Sequence, residues 1–155
     1  MQLGTKGRYA VIAMLRMSDT LKHQHIVPLS QIAEAENISI TYLEQLFTRL
    51  RKSGLVVSSR GSMGGYTLGR SASAISLAEI IMAADENLFF TRCDPVSSKG
   101  CTKTGALCKT HHLWEGLTNQ VFNFLGNITL EDLTVGNIPQ GSDSQWLMRK
   151  QVVND

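Results

Sequence analysis

Three cysteines and a histidine are the residues in this chain best suited to inorganic chemistry. Cys93, Cys101, Cys108 and His111 follow one another as C-x7-C-x6-C-x2-H, and no other cysteine occurs in the 155 residues. Thiolate sulfur and imidazole nitrogen suit either zinc or an iron–sulfur cluster. A structural zinc site usually contains a pair of cysteines two to four residues apart, which this stretch lacks. Wide spacing is easier to reconcile with a cluster, whose outer ligands lie several ångströms apart. Three cysteines within sixteen residues make a chance grouping of ordinary loop thiols unattractive, and an odd number excludes a complete set of internal disulfides. His112 competes with His111 as the nitrogen donor, and spacing alone does not choose between adjacent imidazoles. A mixed Cys/His shell leaves one ligand able to accept a proton near neutral pH and tends to raise the reduction potential. Both properties suit a sensor that loses or changes its cluster under stress.

The rest of the chain must position that loop and give its state an output. The formal net charge is only +2, but residues 1–70 carry nine Lys/Arg against four Asp/Glu, net +5, while residues 71–155 carry six against nine, net −3. A basic N-terminal half points to a polyanion, with nucleic acid first. The length suits one domain or a small domain with a second lobe, and 43% hydrophobic residues is ordinary for a globular protein. No apolar run approaches the ~18 residues a membrane helix needs. The basic start with its apolar stretch, interrupted by Arg16, reads as a mature helix rather than a signal peptide, so a cytoplasmic location is expected.

Periodicity supplies the elements. Residues 6–21 read as a helix with Tyr9, Ile12, Ala13, Met17 and Leu21 along one stripe. Residues 22–28 form a polar loop in which His23 and His25 read as solvated. A short helix over 29–36 ends at Asn37, which tolerates the left-handed conformation. Ser39 or Thr41 opens the next helix, and Thr41-x-x-Glu44 fits a capping box. Leu43, Leu46, Phe47 and Leu50 make its buried stripe, with Gly54 as the stop. The opposite face holds Thr41, Glu44, Gln45, Thr48, Arg49 and Lys52, which is polar and cationic. Strands over 55–59 and 66–68 flank a glycine-rich turn with Arg60 at its base. Two short helices followed by such a hairpin describe a winged helix-turn-helix, with the second helix placed for the major groove.

Beyond the hairpin, Ser76-x-x-Glu79 predicts a capping box opening a helix with Leu77, Ile80, Ile81 and Ala84 inward. Residues 91–110 lose periodicity. Leu113, Leu117, Val121, Phe124 and Ile128 then form a heptad-like stripe on a long helix, and a two-fold partner helix is the simplest cover for it. The expected organisation is a DNA-binding region over 1–70, a connecting helix over 71–90, a cluster-binding loop over 91–112, a dimerisation helix with a following short helix over 113–135, and a loose tail over 136–155. The fold class is mainly α with a small β-hairpin wing.

The residues Thr5-Lys6-Gly7-Arg8-Tyr9-Ala10-Val11, Tyr42-Leu43-Glu44-Gln45-Leu46-Phe47 and Arg49-Leu50-Arg51-Lys52 closely resemble the iron–sulfur cluster regulators of the IscR type. So do Gly64-Gly65-Tyr66, Thr91-Arg92-Cys93 and Gly126-Asn127-Ile128-Thr129-Leu130, so the resemblance spans roughly residues 1–135. It implies a homodimeric regulator of cluster-assembly genes that binds double-stranded DNA and senses cluster status. It also implies a [2Fe–2S] cluster on Cys93, Cys101, Cys108 and His111, received from a cluster-assembly scaffold, with His112 the lesser choice. Base reading falls to the positions of Thr41, Glu44 and Gln45, with Arg60 on the wing. Arg49, Arg51, Lys52 and Arg60 are assigned to phosphates or the minor groove. Two features depart from the pattern: Ser62-Met63 replace the usual Pro-Gly of the wing, and the cysteine spacings are longer than is typical. Glu44 is the unusual member of a face meant for a polyanion, and either caps its helix or accepts a hydrogen bond from cytosine N4. The competing readings are an iron–sulfur electron carrier or cluster-transfer protein, which has no need of a polar recognition face, and a nitric-oxide-sensing regulator of the same family. No nucleophile–base motif, phosphate-cradling glycine loop or carboxylate cluster supports an enzyme.

Overall fold

Leu43, Leu46, Phe47 and Leu50 recur at helical spacing, and in the computed structural model all four are buried on one side of a helix spanning Ile40–Lys52 (α3). The structure describes residues 4–61, 64–85, 100–102 and 104–138. Preceding α3 are α1 (Thr5–Thr20) and α2 (Leu29–Glu36). Helix α2 stops at Asn37, in the left-handed conformation at φ 51°, as the sequence predicts. The cap of α3 differs from expectation. Ser39 is extended and its Oγ accepts from Tyr42 N at 3.2 Å, whereas Thr41 already lies inside the first turn. The Thr41–Glu44 capping box therefore does not form, and the Glu44 carboxylate has no capping role.

The hairpin pairs β1 (Val56–Ser59) with β2 (Gly65–Leu68), Val56 opposite Leu68 and Ser59 opposite Gly65. Tyr66 N donates to Val27 O and Val27 N to Tyr66 O, both at 2.9 Å, so the loop entering α2 joins the wing edge. Gly65 is required there, because a Cβ would lie 2.6 Å from both Ile26 Cγ2 and Val27 O. The Tyr66 ring packs edge-on against Phe47, centroids 4.9 Å apart. Two short helices and a two-stranded wing thus share one core, as expected of a winged helix-turn-helix.

After a 3-10 turn over Ala72–Ala74, α4 (Leu77–Ala83) opens with the predicted capping box of Ser76 and Glu79, and Leu77, Ile80, Ile81 and Ala84 are buried. A matching box of Thr129 and Asp132 opens α6 (Leu130–Val135). The two helix starts are clasped by backbone bonds, Leu77 N to Ile128 O at 2.9 Å and Leu130 N to Ile75 O at 2.8 Å. Helix α1 packs against both α4 and α6. That contact draws inward Ala10, Ala13, Met14 and Met17, while Tyr9 and Ile12 of the predicted stripe are only half-buried. Helix α5 (His111–Gly126) ends before Ile128, which is buried in the core instead of continuing the helical stripe. Within α5, Leu113 is 64% and Phe124 51% exposed, so much of its apolar face is uncovered in a single chain. Among the described residues, no helix is long and apolar enough to cross a membrane.

Phe47→Ala is expected to destabilise the fold by about 3–5 kcal/mol in denaturant unfolding, since a fully buried ring leaves a cavity against Tyr66. The Glu79 carboxyl is held below its usual range chiefly by the Ser76 backbone N–H, and that of Asp132 chiefly by hydrogen bonding to Thr129. A folded-state pKa below the unfolded one contributes stability above the ordinary carboxylate range of about 4, and that stability is lost as pH falls through it. Acid titration of unfolding should therefore show a steeper loss in the parent chain than in a Glu79→Gln/Asp132→Asn double variant.

Candidate functional site

With one face of α3 buried, the other is presented outward. Thr41, Glu44 and Gln45 are exposed on its first two turns, and among the described residues their side chains take no hydrogen-bond partner. Thr48 is exposed too, its hydroxyl donating to Glu44 O at 2.8 Å. A protruding helix carrying a hydroxyl, a carboxylate and an amide offers donors and acceptors of the kind that read base edges in a major groove. Lys52 is exposed at the C-terminal end, and Arg60 is exposed at the base of the wing.

The cations are not equivalent. Arg49 is half-buried, its Nη1 donates to Ala84 O at 3.0 Å, and it lies 3.6 Å from Asp85 Oδ2. Lys6 of α1 approaches the same carboxylate at 3.7 Å. The structure therefore turns Arg49 away from the polar face toward the C-terminal end of α4, where a cation meets the negative end of the helix dipole. Arg51 is exposed, and its Nη1 donates to Ser58 Oγ at 3.3 Å, linking α3 to the wing. Sequence reasoning misses Asp85, which lies 36 positions beyond Arg49 with nothing local to pair them.

The second constellation lies at the start of α5. Cys93 falls outside the described residues. Cys101 Sγ lies 3.1 Å from His111 Nδ1, and His111 is buried, with only 9% exposure. His111 N donates to Cys108 O at 3.0 Å, so the third cysteine and the first residue of α5 are fixed in one turn. Cys101 is held by a compact loop: Thr102 N donates to Ala106 O at 3.1 Å, Ala106 N donates to Thr102 Oγ1 at 2.9 Å, and Gly105 adopts φ +80°. His112, by contrast, points to solvent, its Nδ1 3.2 Å from Glu115 Oε2. The two imidazoles meet edge-on, centroids 5.3 Å apart. Sequence reasoning also misses Glu115, although its i+3 spacing from His112 is a signal that could have found it. The Cys108 thiol lies 3.6 Å from Thr110 Oγ1, so the structure brings together the Cys101 thiol and the buried His111 imidazole, sulfur and nitrogen donors of the type that holds iron–sulfur clusters.

The Rrf2 family profile, described as an iron-dependent transcriptional regulator, matches residues 3–136. This chain belongs to the Rrf2 family. Its relatives include the HTH-type transcriptional regulator IscR of Vibrio cholerae, 47% identical over 150 residues, covering 95% of this chain and 83% of that one. IscR of Xenorhabdus nematophila is 51% identical over 135 residues, covering 86% and 79%. Among solved structures, T. potens IscR matches with a TM-score of 0.69 at 29% identity, covering 96% of each chain. CymR, the global cysteine regulator of B. subtilis, matches at 0.68 and 34% identity, covering 87% of this chain and 97% of that one. The Rrf2 chain is accordingly an IscR-type, winged-helix transcriptional regulator and not an enzyme.

The different placements of the cations have a measurable consequence. Arg60→Ala is expected to reduce the slope of log affinity against log salt by about one unit, the signature of one lost phosphate contact. Arg49→Ala is expected to weaken DNA binding with that slope unchanged, because its guanidinium already serves Ala84 and Asp85.

Proposed function

We propose that this Rrf2 regulator works as a homodimer that reads operator DNA with α3 and its wing, and that a [2Fe–2S] cluster on Cys93, Cys101, Cys108 and His111 governs that reading at cluster-assembly genes. The observation that carries the proposal is the pairing of the Cys101 thiol with the buried His111 imidazole in a chain whose α3 presents an exposed polar face. An electron carrier needs only the first of these.

The cluster, when bound, supplies an inorganic centre that iron limitation, oxidants or nitric oxide can alter. The chain's own residues do the rest. His111 is favoured as the nitrogen ligand because it is buried beside Cys101, while His112 is committed to Glu115 on the solvent side. Cys108 is tied to His111 through the backbone, so occupancy of the loop bears directly on the start of α5. The uncovered Leu113, Leu117 and Phe124 of α5 support a second copy as their cover.

On the DNA side, Thr41, Glu44 and Gln45 read bases, with Glu44 accepting from cytosine N4. The absence of a Thr41–Glu44 cap supports this role, since the carboxylate serves no helix terminus. Lys52, Arg51 and Arg60 supply phosphate or minor-groove contacts.

Protein purified without oxygen is expected to contain about two iron and two acid-labile sulfide per chain. His111→Ala should lose them, and His112→Ala should keep them. Failure to take up iron and sulfide on anaerobic reconstitution, or metal-free protein with unaltered DNA binding, would discard the cluster as the switch. Glu44→Ala is expected to relax discrimination at one base pair by roughly 1–3 kcal/mol across a site library while lowering overall affinity less. Unchanged relative affinities would remove Glu44 from base reading.

A further inference from the structure

The first turn of α5 carries two donors, on His112 and Glu115, that the cluster reading leaves unused. Nitrogen and oxygen donors of His111, His112 and Glu115 all lie within 4.8 Å of one another. On a helix with 3.6 residues per turn, adjacent side chains diverge by about 100°, so convergence of His111 and His112 is not given by their sequence positions. It arises here because the two rings meet edge-on and Glu115, one turn on, reaches back to His112.

We infer that His111, His112 and Glu115, closed by the Cys101 thiolate, form a mononuclear site for zinc, occupied when the cluster is absent. Two spacings support it. Zn–N and Zn–O bonds of about 2.0–2.1 Å place two such donors on one tetrahedral ion roughly 3.3 Å apart, and a Zn–S bond of about 2.3 Å places sulfur and nitrogen roughly 3.6 Å apart. His112 Nδ1 and Glu115 Oε2 are already 3.2 Å apart, and Cys101 Sγ and His111 Nδ1 3.1 Å. The His112–Glu115 pair already has the separation that a shared ion demands, the Cys101–His111 pair is about half an ångström short of it, and side-chain rotation must bring the Cys101 sulfur to the group that the other three donors form.

The donor chemistry selects the metal class. One sulfur, two imidazole nitrogens and one carboxylate oxygen suit zinc or its probe cobalt, not magnesium or calcium, which want oxygen shells. Loss of one proton from Cys101 to solvent on binding leaves a thiolate and a carboxylate against a doubly charged ion, so the filled shell is neutral. The positive end of the α5 dipole opposes a cation, and those two anionic ligands offset it. Because His111 and Cys101 belong to both sets, zinc and cluster exclude one another. That exclusion rests on the cluster assignment made above, whereas the zinc shell itself does not.

The test is cobalt(II) titration of the full chain after anaerobic removal of iron, with zinc as competitor. One cobalt per chain is expected, with intense visible bands of a tetrahedral ion and a sulfur-to-cobalt charge-transfer band, both abolished by zinc. His112→Ala and Glu115→Gln should each weaken cobalt binding by at least about 10–100-fold, since even outer-shell losses reach that range. Both variants should reconstitute with the parent's iron and sulfide, which also reports that they fold. Cobalt affinity unchanged in both variants would overturn the proposal, assigning the ion to the cysteines alone. Weak octahedral bands would overturn it too. Loss of iron together with cobalt in His112→Ala would overturn the division of ligands between the two sites. A parent chain that takes up no cluster yet shows the cobalt behaviour would sink the cluster reading and leave the zinc shell standing.

Discussion

The contact between Phe47 and Tyr66 is the constraint on which the DNA-binding half depends. Phe47 is the fully buried centre of the apolar face of α3, and Tyr66 stands over it from the wing. The Tyr66 backbone is bonded in both directions to Val27, at the entrance to α2. One aromatic pair thus fixes α3, the wing and the turn before α2 relative to one another. Because apolar burial holds α3 from behind, its outward residues need no part in stability. Thr41, Glu44 and Gln45 are therefore open to substitution without loss of the core.

A second joint ties this half to the remainder. The paired capping boxes at Ser76 and Thr129 start α4 and α6 side by side, and two backbone bonds clasp the starts together. At the other end of α4, Arg49 reaches Ala84 O and shares Asp85 with Lys6. Exposed ion pairs contribute little each, so α4 is placed by its buried Leu77, Ile80 and Ile81, and the charges only trim its terminal turn. Helix α5, whose first residue is His111, packs against α4 in turn.

Elements governed by near neighbours are legible in the residues alone. The stop at Asn37, the capping box at Ser76, the buried stripe of α3 and the hairpin each depend on contacts within a few positions, where hydrogen-bond geometry and apolar period leave few choices. The winged helix-turn-helix and its polar face follow from them. The motif residues between Thr5 and Leu130 point to the regulator family by their identities and order in the chain.

Tertiary structure decided which of several equivalent residues takes a role. Ser39 and Thr41 are both competent caps, and the backbone path out of Ile38, a core residue, selected Ser39. Arg49, Arg51 and Lys52 are alike in charge, but only Arg49 finds a carbonyl and a carboxylate from the end of α4 within reach. His111 and His112 are chemically identical, and the packing of α5 buries one beside Cys101 and leaves the other to Glu115. Sequence by itself determined the kinds of element and the kinds of chemistry, because propensity, periodicity and donor type are properties of single residues and their near neighbours. The assignment of cations and imidazoles waited on the fold, because Ala84 lies 35 positions beyond Arg49 and because only packing could bury one of two adjacent histidines and expose the other.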